Sequence, residues 1–445
     1  MITLRPKRQL NFIQTSSIIV GQVIGSGIFI NIPIVAAISG NIWIAVLIWF
    51  IGGLLWLPQI FILAEMGSAY PDQGGPYQFI NKAGSPFLAF LYTWTAFLTS
   101  DTPTLTIIGL LAADALSYFF PALGLDLYAR IFASLLIIVF AVLQFRSVKL
   151  GGNVQVFLTI TKLLPLFAVV VIGIFFILSG KAQPVNLTGQ NDITMHMLTA
   201  GVAATVWAYA GFLNILYTSG EIINPKKLLP KSLIGSVIFV MVSYILINIG
   251  TAAIVPFNDL ISVEEGKFIN PFAYLNLHGF DAGAIFAVAV FISMLGVMNS
   301  SIITQPRLEY AMARDGLFFK AFGNLHKKYL TPDFSIFAQS FVAILLLYGN
   351  LGDLLGYFTL SYVLQNMLVY GSIFWLRKKN DYKPSFKSPF WFLMATLSIV
   401  IQLYLAYGAF LAYPVGGLIA CLSLIVTGLP LYLYFMKRKK AGYVY

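Results

Sequence analysis

Gly25-Ser26-Gly27-Ile28-Phe29 lies in the middle of the first apolar segment of this chain, Phe12 to Ile38. Two glycines around a serine are poor helix formers, and Gly costs about 1 kcal/mol against Ala in a helix interior. The spacing predicts a membrane helix that breaks at Gly25-Ser26-Gly27. Broken backbone at membrane depth is tolerated only where it lines a protein-enclosed cavity. The freed N–H groups of Gly25, Ser26 and Gly27 then form an anion site that suits a carboxylate. The competing reading is a small-residue patch for close helix packing, where G-x-G spacing also occurs.

Composition sets the class around that stretch. The chain has 445 residues, of which 59% are hydrophobic and 10% charged, with a mean hydropathy of +0.86. Apolar runs at this density mean an all-α polytopic membrane protein embedded in the lipid bilayer. A cleavable signal peptide is not expected, because the first segment is long and no small-residue cleavage site follows it. The net charge of +11 does not point to nucleic acid, since the charges fall in short loops as orientation signals do. Cys421 is the single cysteine and lies in an apolar run, so no disulfide or metal site is built from it. His196, His278 and His326 form no ligand cluster, and no cofactor is expected.

About twelve spans are expected, near residues 12–38, 41–69, 86–118, 127–145, 153–179, 196–219, 232–256, 281–306, 334–349, 352–376, 390–412 and 414–436. An even number puts both termini on one side. Arg5, Lys7, Arg8, Lys82, Arg146, Lys149, Lys226, Lys227, Lys231, Arg314, Lys320, Lys327, Lys328, the 377–387 loop and Lys437 to Lys440 all fall on that side. The opposite loops hold only Lys181 and Lys267, with Arg130 near a span end. The asymmetry predicts that both termini are cytoplasmic. The outer segment Pro256 to Asp281, with Asp259, Glu264, Glu265 and Asp281, is expected to carry a short surface helix.

Span six reads Val206-Trp207-Ala208-Tyr209-Ala210-Gly211-Phe212. Its small residues round Gly211 predict a second mid-membrane break, five spans after the first. Breaks at matching positions of two five-span halves point to an inverted repeat with a midplane binding site. The expected organisation is an N-terminal tail (1–11), a core (12–376) of two halves (12–179 and 196–376), helices 11 and 12 as an appendage (390–436) and a C-terminal tail (437–445). Trp207 and Tyr209 flank the second break and are candidates to gate a bound ligand; packing is the alternative for any aromatic in so aromatic a chain.

Two charges lie at span depth. Lys162 sits in Thr159-Ile160-Thr161-Lys162-Leu163-Leu164, at an insertion cost of about 2.5–3.5 kcal/mol. It is read as a fixed cation on carbonyls freed by the first break, helped by Ser300 and Ser301 of span eight. A proton-coupling lysine is a sharper version, because desolvation favours the neutral amine. Snorkelling to the interface is the third. Asp101, midway along span three, either receives a substrate cation, carries a proton, or caps a helix restarting before Pro103. Asp114 is nearer the outer end and is read as solvated. Glu65, Arg307 and Glu309, near cytoplasmic span ends, are read as inter-helix ion pairs rather than transport groups.

These motifs resemble the amino acid–polyamine–organocation superfamily. Gly25-Ser26-Gly27-Ile28-Phe29 resembles its substrate-binding break. Ala64-Glu65-Met66-Gly67, followed by Pro71 through Gly74-Gly75-Pro76-Tyr77, resembles the end of its second span. Trp207 to Gly211 with Gly220-Glu221-Ile222-Ile223-Asn224-Pro225-Lys226 resembles its sixth-span signature. Arg307 with Tyr310-Ala311-Met312-Ala313-Arg314-Asp315-Gly316-Leu317, and then Thr331-Pro332, resembles the segments that follow. The resemblance implies a fold of two inverted five-span halves and alternating access. It implies a substrate α-carboxylate on the amides of Gly25, Ser26 and Gly27, and an α-amino group on carbonyls near Ile24, Trp207 and Ala208, with Ala210 and Gly211 beside them. Lys162 matches a lysine that in several members stands in a sodium ion's place, which implies transport without sodium. The sixth span is most similar to L-type carriers, here of bacterial kind, but Phe212-Leu213 and Asp101 depart from that branch. A disulfide-linked heavy chain is not implied, since no outer-loop cysteine exists. The expected ligand is an amino acid or an amine: exchanged or proton-coupled in the leading reading, a cationic amino acid or polyamine held by Asp101 in the second. A non-transporting sensor would use the same site. A membrane enzyme would need a nucleophile–base or metal constellation, and none is offered.

Overall fold

The computed structural model describes residues 6–25, 27–183, 194–263, 268–275, 281–349, 351–412 and 414–441. Among the described residues eight helices are long and apolar enough to cross a membrane, nine with the bent first pair, and the helices fall on the expected spans in chain order. The first consists of α1 (Phe12–Val23) and α2 (Gly27–Ser39), bent by 47° at the glycine stretch. The second is α3 (Ile42–Leu54) with α4 (Trp56–Ala69), and α5 (Gly75–Ala83) is a short helix in the loop after it. The third runs from α6 (Pro86–Thr95) through a π turn at Ala96–Asp101 into α7 (Thr102–Ser117). α8 (Asp126–Arg146) and α9 (Val148–Leu178) are the fourth and fifth.

The sixth span is α10 (Met195–Val206) followed by 3-10 turns at Trp207–Tyr209 and Phe212–Glu221. α11 (Pro225–Ile254) is the seventh. α12 (Phe257–Ile261) lies in the loop expected to carry a surface helix; Glu264 and Glu265 of that loop are outside the described residues. α13 (Ala282–Thr304) and α14 (Pro306–Arg314) make the eighth span, α15 (Asp333–Leu346) the ninth and α16 (Leu351–Leu376) the tenth. α17 (Trp391–Ala412) and α18 (Pro414–Lys440) are the appendage.

Hydropathy misjudged several ends for one reason: helices continue past the apolar band. Ser147 accepts a bond from the Leu150 amide and starts α9 five residues before the expected start. Asn224, in the left-handed region, starts α11 at Pro225, so Lys226, Lys227 and Lys231 lie on helix rather than loop. Pro306 opens α14 without ending the eighth span.

The spans around the breaks form the buried core. α1 packs on α9, α11 and α13, while α2 packs on α10. Charge anchors the loop between α16 and α17: Glu65 on α4 is bidentate with Arg377 (2.8 and 2.6 Å) and accepts from the Tyr382 hydroxyl and the Ser388 amide.

Candidate substrate site at the two breaks

The two broken spans touch at the centre. A Cβ on Gly27 would lie 3.0 Å from the Cα of Ala208, which is backbone and cannot give way. Gly211 has φ +119°, a conformation L side chains rarely adopt, and a Cβ there would meet Gln22 Cγ at 2.8 Å. Glycine is therefore required at both breaks for the half-helices to approach. Beside them lies a cavity of about 450 Å³. Gln22, Gly25 and Gly27 line it from the first break, Ala210, Gly211 and Asn214 from the second, and Thr99, Ser100, Asp101 and Thr104 from the third span. Ser26 lies outside the described residues. The first amides of α2 have no helical acceptor, as at any helix start, and the helix dipole adds partial positive charge there.

Lys162 is 1% exposed. Its Nζ donates to the carbonyl oxygens of Gly21 (2.9 Å) and Ile24, the last carbonyls before the break. Snorkelling is thereby ruled out: the ammonium turns inward to acceptors that the helix no longer satisfies. Ser300 Oγ donates to the Ile18 carbonyl at 2.7 Å, and Ser301 Oγ exchanges hydrogen bonds with the Gln22 side chain. Thr159 and Gln155 reach the Ser17 carbonyl, and Asn299 joins Gln155 to the Gly151 carbonyl. Ser300 and Ser301 stand where the sequence reading put them, whereas Gln155, Thr159 and Asn299 gave no sequence signal, because a lone polar residue in an apolar run has no motif.

Tyr244 is another residue the sequence does not disclose. Its hydroxyl donates to the Ala208 carbonyl at 2.8 Å and lies 3.3 Å from that of Val23, joining both breaks. Lys162 and Tyr244 thus occupy the carbonyls of Ile24 and Ala208 expected to meet a ligand's amino group; each carbonyl keeps a second lone pair. Trp207 opens the 3-10 turn of the second break. Tyr209 is not on the cavity wall. It is fully buried, donates to the Trp49 carbonyl at 3.0 Å and packs on the rings of Trp49 and Tyr244. The gate expected of Tyr209 is corrected to a packing role.

Asp101 is 3% exposed and contributes to the cavity wall. Its backbone is helical (φ −76°, ψ −51°) and its side chain makes no capping bond. The expected N-cap is therefore not formed: the π turn, with Thr102 Oγ1 donating to the Phe97 carbonyl at 2.6 Å, carries the span through without a restart. Below the cavity, on the side of the termini, Glu221 and Arg307 pair at 3.1 Å, both buried, and Gln73 donates to Glu221 at 3.0 Å. The Gln9 and Leu10 amides bond to the Glu221 carbonyl, and the Gly74 amide to that of Tyr217. Two landmarks far apart in sequence, Gly220-Glu221 and Arg307, thus meet and close this side. Glu309 differs from its two expected companions: neither of its oxygens has a partner among the described residues.

The sequence pattern described as amino acid permease matches residues 10–435. The chain belongs to the amino acid permease family. Membership makes it a transporter of amino acids rather than an enzyme, built on the superfamily's two inverted five-span halves. The chain is similar to the serine/threonine exchanger SteT of Bacillus subtilis, with 27% identity across 98% of each chain. It is also similar to the mouse b(0,+)-type amino acid transporter 1, at 24% identity over 97% of this chain and 89% of the relative. The human cystine/glutamate transporter is 26% identical over 97% of this chain and 85% of that protein.

Proposed function

We propose that this permease carries amino acids across the cytoplasmic membrane by alternating access, independently of sodium, as an exchanger or proton-coupled carrier, with both termini cytoplasmic. The observation that carries the reading is Lys162 on the carbonyls of Gly21 and Ile24: a resident cation holds the first break, where a bound metal cation would otherwise neutralise the freed carbonyls. Gly25, Ser26 and Gly27 present amides to the α-carboxylate, while Ile24, Trp207 and Ala208 border the α-amino group. The wall combines the polar Thr99, Ser100, Thr104 and Asn214 with the apolar Ile107, Ile108, Met294 and Val297, which suits an uncharged side chain. The basic side of the molecule is the side closed by Glu221 and Arg307, so the closed face is cytoplasmic in this reading. Uptake of a panel of labelled amino acids into proteoliposomes, with and without a sodium gradient, tests it. Absence of uptake for the whole panel sinks transport, and a sodium requirement sinks the role of Lys162.

A second reading is favoured by one atom, Asp101 Oδ2, which is buried without a partner on a residue of the cavity wall. It makes the ligand a cationic amino acid or polyamine whose side chain pairs with Asp101. Competition of lysine, arginine and diamines against neutral amino acids separates the two.

A further inference from the structure

Six acidic or basic side chains are buried among the described residues: Glu65, Asp101, Lys162, Glu221, Arg307 and Glu309. Four are fully provided for. Glu65 has Arg377, Tyr382 and a backbone amide; Glu221 and Arg307 have each other; Lys162 has two carbonyls. Asp101 and Glu309 are the exceptions. One oxygen of Asp101 receives only a long bond, 3.5 Å from Ser100 Oγ, and the other receives none. Glu309 is fully buried, and neither oxygen has a partner on another described residue.

The two acids also share one region: Asp101, Tyr217 and Gln305 all line the cavity, and Glu309 follows Gln305 by about one helical turn in α14. Tyr92 and Tyr217 share a hydrogen bond at 2.9 Å, and Tyr370 stands behind them. Among the described residues no salt bridge reaches Asp101 or Glu309. Around α14, Arg307 is committed to Glu221, Tyr77 donates to Asp315, and Lys82 sits over the Tyr70 ring. Lys320 on the 320–323 turn, Asp333 at the start of α15 and Arg314 complete the charged groups on the elements packed there. α13 carries no titratable residue, α7 has only the exposed Asp114, and the acidic residue of α16 is Asp353 in its first turn. Two ionised carboxylates close together in a low-dielectric interior repel, and each lone charge costs several kcal/mol to bury. The neutral acid removes both costs with one proton.

We propose that Asp101 and Glu309 form a proton-binding site of this carrier, with Asp101 exchanging the proton with the cavity and Glu309 holding it on the side of the termini. Asp101 stands at the middle of its span and borders the cavity; Glu309 lies in the last third of its own span, two residues beyond the Arg307–Glu221 closure. A proton taken up from the cavity at Asp101 therefore passes to Glu309 behind the closed side, and leaves there when that side opens. The site rests on the proposed transport function and deepens it by giving proton coupling a carrier other than Lys162.

The test uses the full-length protein in lipid. Infrared difference spectra at neutral pH should show the carbonyl stretch of a protonated carboxylic acid, lost in Glu309→Gln or Asp101→Asn. In proteoliposomes, amino acid flux should fall as the medium is made alkaline, by about tenfold per pH unit once the pair ionises. Glu309→Gln, which cannot take up or release the proton, should still bind amino acid but lose the response of flux to pH, and Glu309→Asp should restore it. Absence of the protonated band, a band that responds to sodium or potassium instead of pH, or a wild-type profile in Glu309→Gln overturns the proposal. If the wild type moves no amino acid, the transport reading fails, and the infrared band still decides the proton site.

Discussion

Replacing Lys162 by methionine keeps most of the side chain's volume and removes its charge and donors. The carbonyls of Gly21 and Ile24 then lose the bonds that Nζ supplies. An unpaired buried polar group costs about 1–3 kcal/mol, so two cost about 2–6 kcal/mol. Interhelical hydrogen bonds in membranes average only about 0.6 kcal/mol, because other partners are found in the unfolded membrane state. These carbonyls end a helix whose continuation is broken, so no neighbouring amide takes them over, and the lower bound of about 2 kcal/mol applies. At 1.4 kcal/mol per tenfold, that is roughly a thirtyfold loss in occupancy of the native break. Thermal unfolding in lipid nanodiscs should show a lower midpoint for Lys162→Met, and titration calorimetry should show amino acid affinity weakened by about the same thirtyfold. Wild-type affinity with an unchanged midpoint would refute the reasoning, since it would mean that the break holds its shape without the cation.

Two glycines of the first break should respond differently. A Cβ on Gly25 would lie 3.2 Å from Val297 Cγ2, a side-chain tip that can rotate, whereas on Gly27 it meets the Ala208 backbone. Gly25→Ala should keep a near-native unfolding midpoint yet lose about tenfold in affinity, about 1.4 kcal/mol. Gly27→Ala should lose both, at an overpacking cost of about 1–3 kcal/mol; equal stability of the two variants would contradict the close approach of the breaks. Arg307→Met leaves Glu221 charged and unpaired, at about 3–5 kcal/mol, and should open the closed side, read as faster labelling of a cysteine introduced at position 73 from the face bearing the termini. Asp101→Asn should weaken cationic ligands at least tenfold more than neutral ones if the second reading holds; equal loss refutes it.

The architecture was legible because its signals are local. Gly25-Ser26-Gly27 and Gly211 break helices by intrinsic propensity, and lysines mark loop ends by cost of insertion. Lys162 was legible because a charge in an apolar run demands a partner, and its partner followed from the nearest freed carbonyls. What the sequence hid depends on pairing at long range. Tyr244 joins the breaks from 36 residues away, and nothing in Val242-Ser243-Tyr244 distinguishes it from other membrane tyrosines. Glu309 reads like Glu65 and Glu221 in sequence; only packing shows that those two found arginines and it did not. Tyr209 misled for the reverse reason: proximity in sequence to a break does not fix which way a ring turns, and this one turns into the core.

The central claim is that the first break binds a carboxylate. Titration calorimetry of the purified protein with an amino acid that it transports, and with the amine left when that amino acid loses its carboxyl group, tests it most directly. The account predicts at least a hundredfold weaker binding of the amine, about 2.7 kcal/mol; equal affinity for the two would contradict it.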